Sequence, residues 1–285
     1  MEFRTIVDIP EPGFWIEPCE RMLFVGSCFA DSIGARFREE GFPVTVNPYG
    51  TMYNPASVLH TIERWTAQGV RNHVQTDCTR FLTPCVVFLT LGTNHVYRLK
   101  ETGEIVDNCE KRPAALFQEE ELTVDECADY LQKAITLLRQ ANPEMRIVLT
   151  VSPIRYRKYG YHGSQLSKAT LLLAVNKLIS HFSPLTSHLS YFPAYEIVND
   201  ELRDYRFYAS DMLHPSQQAV DYIWERLVEA YFSPEAKAFL KEWRPLKQAL
   251  GHQPFDPEAE AYKALMDKTM LKLEALREKY PTFAL

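Results

Sequence analysis

The chain has 285 residues, 46% of them hydrophobic, and a formal net charge of −6 at pH 7. A single α/β domain of that length buries roughly three quarters of the surface its unfolded chain exposes, so an enzyme-sized core is available. The acidic balance argues against nucleic-acid binding, and no run of about 18 apolar residues is present to span a membrane.

The chain begins Met1-Glu2-Phe3-Arg4, without the basic and apolar regions of a signal peptide, so a cytoplasmic location is expected. Alternation then sets in. Residues 23–26, 43–47, 86–91, 146–151 and 189–192 read as strands, and 31–40, 55–68, 123–140, 165–182 and 217–231 as helices. The strands are rich in Val, Leu and Phe throughout instead of at every second place, which argues a parallel sheet covered on both faces. The fold expected is an α/β three-layer flavodoxin-like sandwich with a central five-stranded parallel sheet, residues 1–232 forming the main domain. Right-handed crossovers would bring the carboxyl ends of all five strands to one edge.

Two regions fall outside that unit. Residues 97–117 lack clean periodicity and separate the third strand from its helix, as lids and binding loops do, so they are expected to overhang the cleft. Residues 233–285 form a helical extension, patterned over 235–243 and 258–280 and interrupted by Pro245, Pro254 and Pro257. It is expected to pack on the sandwich or on a second subunit. The six cysteines, at 19, 28, 78, 85, 109 and 127, show no metal-ligand spacing, so free thiols are expected, with no metal and no cofactor.

Ser27 follows the apolar run Met22-Leu23-Phe24-Val25-Gly26 and opens helix-compatible sequence. A serine delivered to a strand-to-helix turn stands at the carboxyl edge of the sheet, where a nucleophile can meet a ligand; the bland alternative is a helix N-cap. Cys28 beside it is expected to turn toward the sheet if it begins the helix. Far downstream, Asp211 and His214 in Ser210-Asp211-Met212-Leu213-His214-Pro215 precede the last core helix. An Asp three residues before a His can hold one imidazole nitrogen and leave the other to take a proton.

Asn47-Pro48-Tyr49-Gly50 follows the second strand and Gly92-Thr93-Asn94-His95 the third. In the order Ser, Gly, Gly-x-Asn, Asp-x-x-His, these resemble the four blocks of the SGNH (GDSL-like) hydrolase superfamily. Gly26-Ser27-Cys28-Phe29-Ala30 spells the name of the GSCFA domain family, a branch placed with those hydrolases, and the resemblance spans about residues 16–232. It implies a triad of Ser27, Asp211 and His214, with an oxyanion hole built from the backbone N–H of Ser27, that of Gly50 and the side-chain amide of Asn94. The chain departs from the pattern with Gly26 before the serine, and with His95 where the superfamily usually has Asp.

Tyr49, Tyr53, Tyr156, Tyr159, Tyr161 and Tyr208 lie in loops adjoining the expected edge, and amphipathic aromatic surfaces suit sugar faces. Tyr49, Tyr53, His95, Arg155 and Tyr156 are the substrate-binding candidates, although His95 also reads as a solvated loop histidine. Arg155 either meets a substrate carboxylate or phosphate or pairs with Glu196, Asp200 or Asp204; Lys168 belongs either to the cleft or to a solvated face. The leading expectation is a serine esterase acting on an acyl ester, acetyl first, of a carbohydrate or related metabolite. The alternatives are an O-acyltransferase using the same triad and a glycan-binding module that has lost catalysis.

Overall fold

The computed structural model describes residues 4–73, 84–181, 188–256 and 258–285. Cys78, Pro257, Met1 to Phe3 and the expected helix end at Phe182 lie outside the described residues.

The strands are β1 (Met22–Gly26), β2 (Val44–Val46), β3 (Val86–Leu91), β4 (His95–Leu99), β5 (Ile105–Val106), β6 (Phe117–Glu121), β7 (Arg146–Val151) and β8 (Leu189–Tyr191). The main helices are α1 (Cys28–Glu39), α2 (Pro55–His73), α3 (Val124–Ala141), α4 (Gly160–His181), α5 (Gln217–Tyr231), α6 (Pro234–Leu250) and α7 (Glu260–Lys279). Five strands make a parallel sheet in the order β2-β1-β3-β7-β8, as expected. The chain reverses its direction of winding between β1 and β3, which opens a crevice at their carboxyl ends.

Both faces of this sheet are buried, and alternate residues serve different layers. Met22, Phe24, Val86, Phe88 and Val148 join the core beneath α1 and α5, whereas Leu23, Val25, Val87, Leu89, Ile147 and Leu149 join the core beneath α2, α3 and α4. That explains the near-continuous apolar strands. The first face is dominated by rings: Phe24 stacks on Phe88 at 4.7 Å, and Phe37 meets Trp224 edge-on at 4.7 Å.

Three expectations change. Helix α1 begins at Cys28 rather than at residue 31, because Ser27 is its N-cap. The expected loop 97–117 contains β5 and reaches into a three-stranded antiparallel sheet of order β5-β4-β6. Its strands carry cross-strand charge pairs, such as Arg98 Nε to Glu120 Oε2 at 3.1 Å, in place of an apolar alternation. Finally, α6 continues through Pro245 to Leu250: the proline forfeits one backbone bond, but Trp243 and Leu246 on either side are buried in the core.

Candidate active site

Gly26 ends β1 at φ +148°, and a Cβ there would lie 2.0 Å from the Thr90 carbonyl oxygen. Only glycine lets β1 close on β3 at this point. Ser27 then leaves the sheet in an extended conformation, and its Oγ accepts a long hydrogen bond of 3.4 Å from the Phe29 N–H. It therefore caps α1 and also faces the crevice, with the positive end of the helix beside it.

The other half of the pair is built locally. Asp211 Oδ1 accepts from the backbone N–H groups of Leu213, at 2.9 Å, and His214, at 3.0 Å, across a turn in which Met212 has φ +60°. Its second oxygen, Oδ2, meets His214 Nδ1 at 2.6 Å. The two backbone donors, His214 first, and then the imidazole hold the Asp211 carboxyl down to about 2. With Nδ1 so engaged, Nε2 is the ring nitrogen left for proton transfer.

Ser27 and His214 line one cavity of about 1220 Å³, together with Cys28, Tyr53, Asn54, Thr93, His95, Arg155, Tyr156 and Tyr159. No hydrogen bond joins Ser27 Oγ to His214 among the described residues; such bonds often tighten only when substrate is present. The small sheet forms the opposite wall through Tyr97, Asp107, Phe117 and Glu119, so the region expected to overhang the cleft does border it. From Ser27 outward runs a row of rings: Tyr53 edge-on to Tyr156 at 5.8 Å, Tyr156 stacked on Tyr159 at 5.7 Å, and Tyr159 stacked on His95 at 3.6 Å. Burial raises the Tyr53 phenol to about 12, so it remains a hydrogen-bond donor at neutral pH.

The three oxyanion donors implied by the resemblance are engaged elsewhere. Ser27 N–H donates to the Thr90 carbonyl at 3.1 Å, Gly50 N–H to the Asn47 carbonyl at 2.9 Å, and Asn94 Nδ2 to the Leu122 carbonyl at 2.8 Å. The first continues the β1–β3 ladder, the second closes a turn, and the third ties the β3–β4 connection to the end of β6. Asn94 and Gly50 are not among the cavity-lining residues.

Other placements also differ from expectation. Tyr49 packs toward α2, with Arg64 over its ring at 5.7 Å, and does not line the cavity. Cys28 faces the cavity instead of the sheet, its Sγ 3.9 Å from Tyr53 Oη. His95 is a wall residue only 8% exposed, and burial lowers its pKa. Arg155 pairs with none of the three acids considered: it donates to the Met212 carbonyl at 2.5 Å and lies over Tyr208 at 4.3 Å and Tyr161 at 5.1 Å. It thus braces the turn carrying Asp211 and His214.

Lys168 is neither a cleft nor a surface residue. It is fully buried on α4, donating to the Gly92 carbonyl at 2.6 Å and the Ser152 carbonyl at 2.7 Å, and burial lowers its pKa to about 7. Its neighbour Ser167 meets Thr93 Oγ1 at 3.0 Å and accepts from the Asn94 N–H at 3.0 Å. These two residues hold the third block in place. A lysine in a helix with polar neighbours carries no sequence signal that it points inward. Among the described residues, no cluster of three His, Cys, Asp or Glu side chains is placed to hold a metal ion.

Residues 21–75 and 66–227 match the model of the GSCFA family, and residues 243–285 match that of the GSCFA domain protein, C-terminal domain. No curated protein matches the chain. Among solved structures, a member of the lipolytic protein G-D-S-L family from Veillonella parvula is 13% identical, with a TM-score of 0.45, covering 74% of this chain and 97% of its own. A GDSL-like lipase from Bacteroides thetaiotaomicron is 13% identical, with a TM-score of 0.44, 78% of this chain and 88% of its own being covered. A carbohydrate esterase family 3 protein from Talaromyces cellulolyticus is 12% identical, with a TM-score of 0.40 and coverages of 78% and 99%.

Proposed function

This chain belongs to the GSCFA family, and from the site described above we propose that it is a serine ester hydrolase acting on an acylated carbohydrate. The observation that carries the reading is the Asp211–His214 pair, joined at 2.6 Å, sharing a cavity with a serine at a strand-to-helix turn. In the proposed reaction, Ser27 Oγ bonds to the ester carbonyl carbon as its proton passes to His214 Nε2, and the carbonyl π pair moves onto oxygen. Collapse of that adduct expels the alcohol, which takes the proton from His214, and leaves an acyl-serine. Water then attacks the acyl carbon, gives its proton to His214, and releases the acid as the proton returns to Ser27. Asp211 holds the imidazole tautomer and offsets the charge of the imidazolium.

The carbohydrate half of the proposal rests on the cavity itself. Its volume of about 1220 Å³ exceeds what an activated acetyl ester needs. Tyr53, the exposed end of the row beside Ser27, supplies an apolar ring with a polar edge, which suits a pyranose, while Tyr156, Tyr159 and His95 stack behind it.

Replacing Ser27 by Ala is expected to reduce hydrolysis of 4-nitrophenyl acetate to background and to abolish fluorophosphonate labelling, while circular dichroism stays that of the parent. An unlabelled, folded parent protein would favour the glycan-binding module. Acyl transfer that depends on an added sugar would favour the acyltransferase.

A further inference from the structure

Accepting the serine-ester reading, an oxyanion formed at Ser27 lacks the donors the resemblance implied: the Ser27 and Gly50 N–H groups donate to backbone carbonyls, and Asn94, whose Nδ2 donates one hydrogen to the Leu122 carbonyl, does not line the cavity. We propose that Asn54 supplies the missing donor, its Nδ2 hydrogen-bonding the oxyanion in place of Asn94.

Asn54 is only 7% exposed and lines the cavity with Ser27, Cys28, Thr93 and His214. Its Oδ1 accepts from the Ser57 N–H at 2.9 Å, which caps α2 and fixes which branch of the amide is oxygen. Its Nδ2 has no protein acceptor among the described residues. Asn54 Nδ2 is not among the enclosed unpaired polar atoms, so this donor opens on the cavity, where a ligand can meet it.

The backbone holds this amide beside the nucleophile. The Tyr53 carbonyl accepts from both the Gly92 and Thr93 N–H groups, at 2.8 Å each. A Cβ on Gly92 would lie 3.0 Å from the Tyr53 oxygen and 3.3 Å from Ser27 Cβ, so the 53–54 segment and Ser27 flank the same glycine. As Ser27 Oγ bonds to the carbonyl carbon, the π pair that moves onto oxygen meets an Nδ2–H already in position. Collapse to the acyl-serine returns the pair and releases the bond. Such a donor adds most in the transition state, so its loss falls on kcat more than on KM.

Two substitutions separate this role from helix capping. Asn54→Asp keeps an oxygen for the Ser57 N–H but removes the donor, whereas Asn54→Ala removes both. In the full-length chain with 4-nitrophenyl acetate, each is expected to lower kcat about 100- to 1000-fold with KM changed less than about threefold. Asn54→Asp should keep the parent's thermal midpoint, so it decides the matter if Asn54→Ala folds poorly. Asn94→Ala is expected to hold kcat within about tenfold of the parent. Asn54→Asp with kcat within about threefold of the parent, while Ser27→Ala is inactive, would overturn Asn54 and leave the serine reading standing. An active Ser27→Ala protein would overturn both.

Discussion

Two residues show how the site is imposed by local geometry. Gly26 has no room for a Cβ against Thr90 and adopts φ +148°, so Gly26→Ala must push β1 from β3 or shift Ser27. We expect it to lose about 2–3 kcal/mol of stability in a denaturant titration and to lose esterase activity with it. Asp211, held down to about 2, stays ionised at every pH where an imidazole can act as a base. Its lowered folded value means that its contribution to folding is present above the usual carboxylate range and fades as pH falls toward 2. Asp211 should therefore contribute no limb to the pH–rate profile above about pH 3. Asp211→Asn should cut kcat roughly 10³- to 10⁴-fold by presenting the wrong hydrogen-bond partner to Nδ1, with the protein still folded; a loss under about tenfold would remove Asp211 from the mechanism.

The turn at Ser27 and the Asp211–His214 hydrogen bond were legible in the sequence because their geometry is local: a glycine forces the strand end, and three residues suffice to bring a carboxylate to an imidazole, whereas the grouping of Ser27 with that pair came from the resemblance. Asn54, Cys28, Tyr49 and Lys168 were not. Which side of a loop or helix such a side chain faces is decided by distant partners, and Lys168 is turned inward by two carbonyls, of Gly92 and Ser152, far away in the chain.

At the scale of elements, the opposite wall of the cavity is the informative case. Strands β4 and β6 pair through Arg98 with Glu120 and Tyr97 with Glu119, so their sequence carries charges where a half-buried strand would alternate, and it reads as a loop. The wall is fastened to α2 by Asp107, which meets His60 Nδ1 at 2.7 Å and also pairs with Arg64. The hydrogen bond to Asp107, more than the opposing burial, raises the His60 pKa above its ordinary value. Its folded value being the higher one, the pairing contributes fully below the ordinary histidine range and is lost as pH rises through the folded value. Amide exchange over residues 105–112, corrected for intrinsic rate, should therefore be less protected at pH 8.5 than at pH 6. Replacing His60 by Leu should abolish that difference. Persistence of the difference in the variant would place the switch elsewhere.

At the scale of the whole molecule, α6 and α7 do not stand apart from the sandwich. Phe239, Trp243, Leu246, Leu273, Leu276 and Phe283 belong to the same buried cluster as Phe24, Phe37, Phe42, Trp224 and Phe232. Phe283 meets Trp243 edge-on at 5.0 Å, Phe239 meets Phe42 at 6.0 Å, and Trp243 Nε1 donates to the Glu39 carbonyl at the end of α1. The hydrophobic pattern of 235–243 and 258–280 announced helices, but it could not say what their apolar faces cover, because aromatic residues on α1 and α5 are needed to complete the layer. A chain ending at residue 232 would expose that ring cluster, so it is expected to aggregate or to lack a cooperative melt, although every proposed site residue lies within it. In the full chain, Trp243→Ala removes a fully buried indole and its hydrogen bond, and should cost about 3–5 kcal/mol in a urea titration. Folded domains have only about 5–15 kcal/mol in total, so that variant should sit near its threshold at 37 °C. A cooperative, soluble 1–232 fragment with the parent's melting temperature would show instead that the sandwich is closed without its extension.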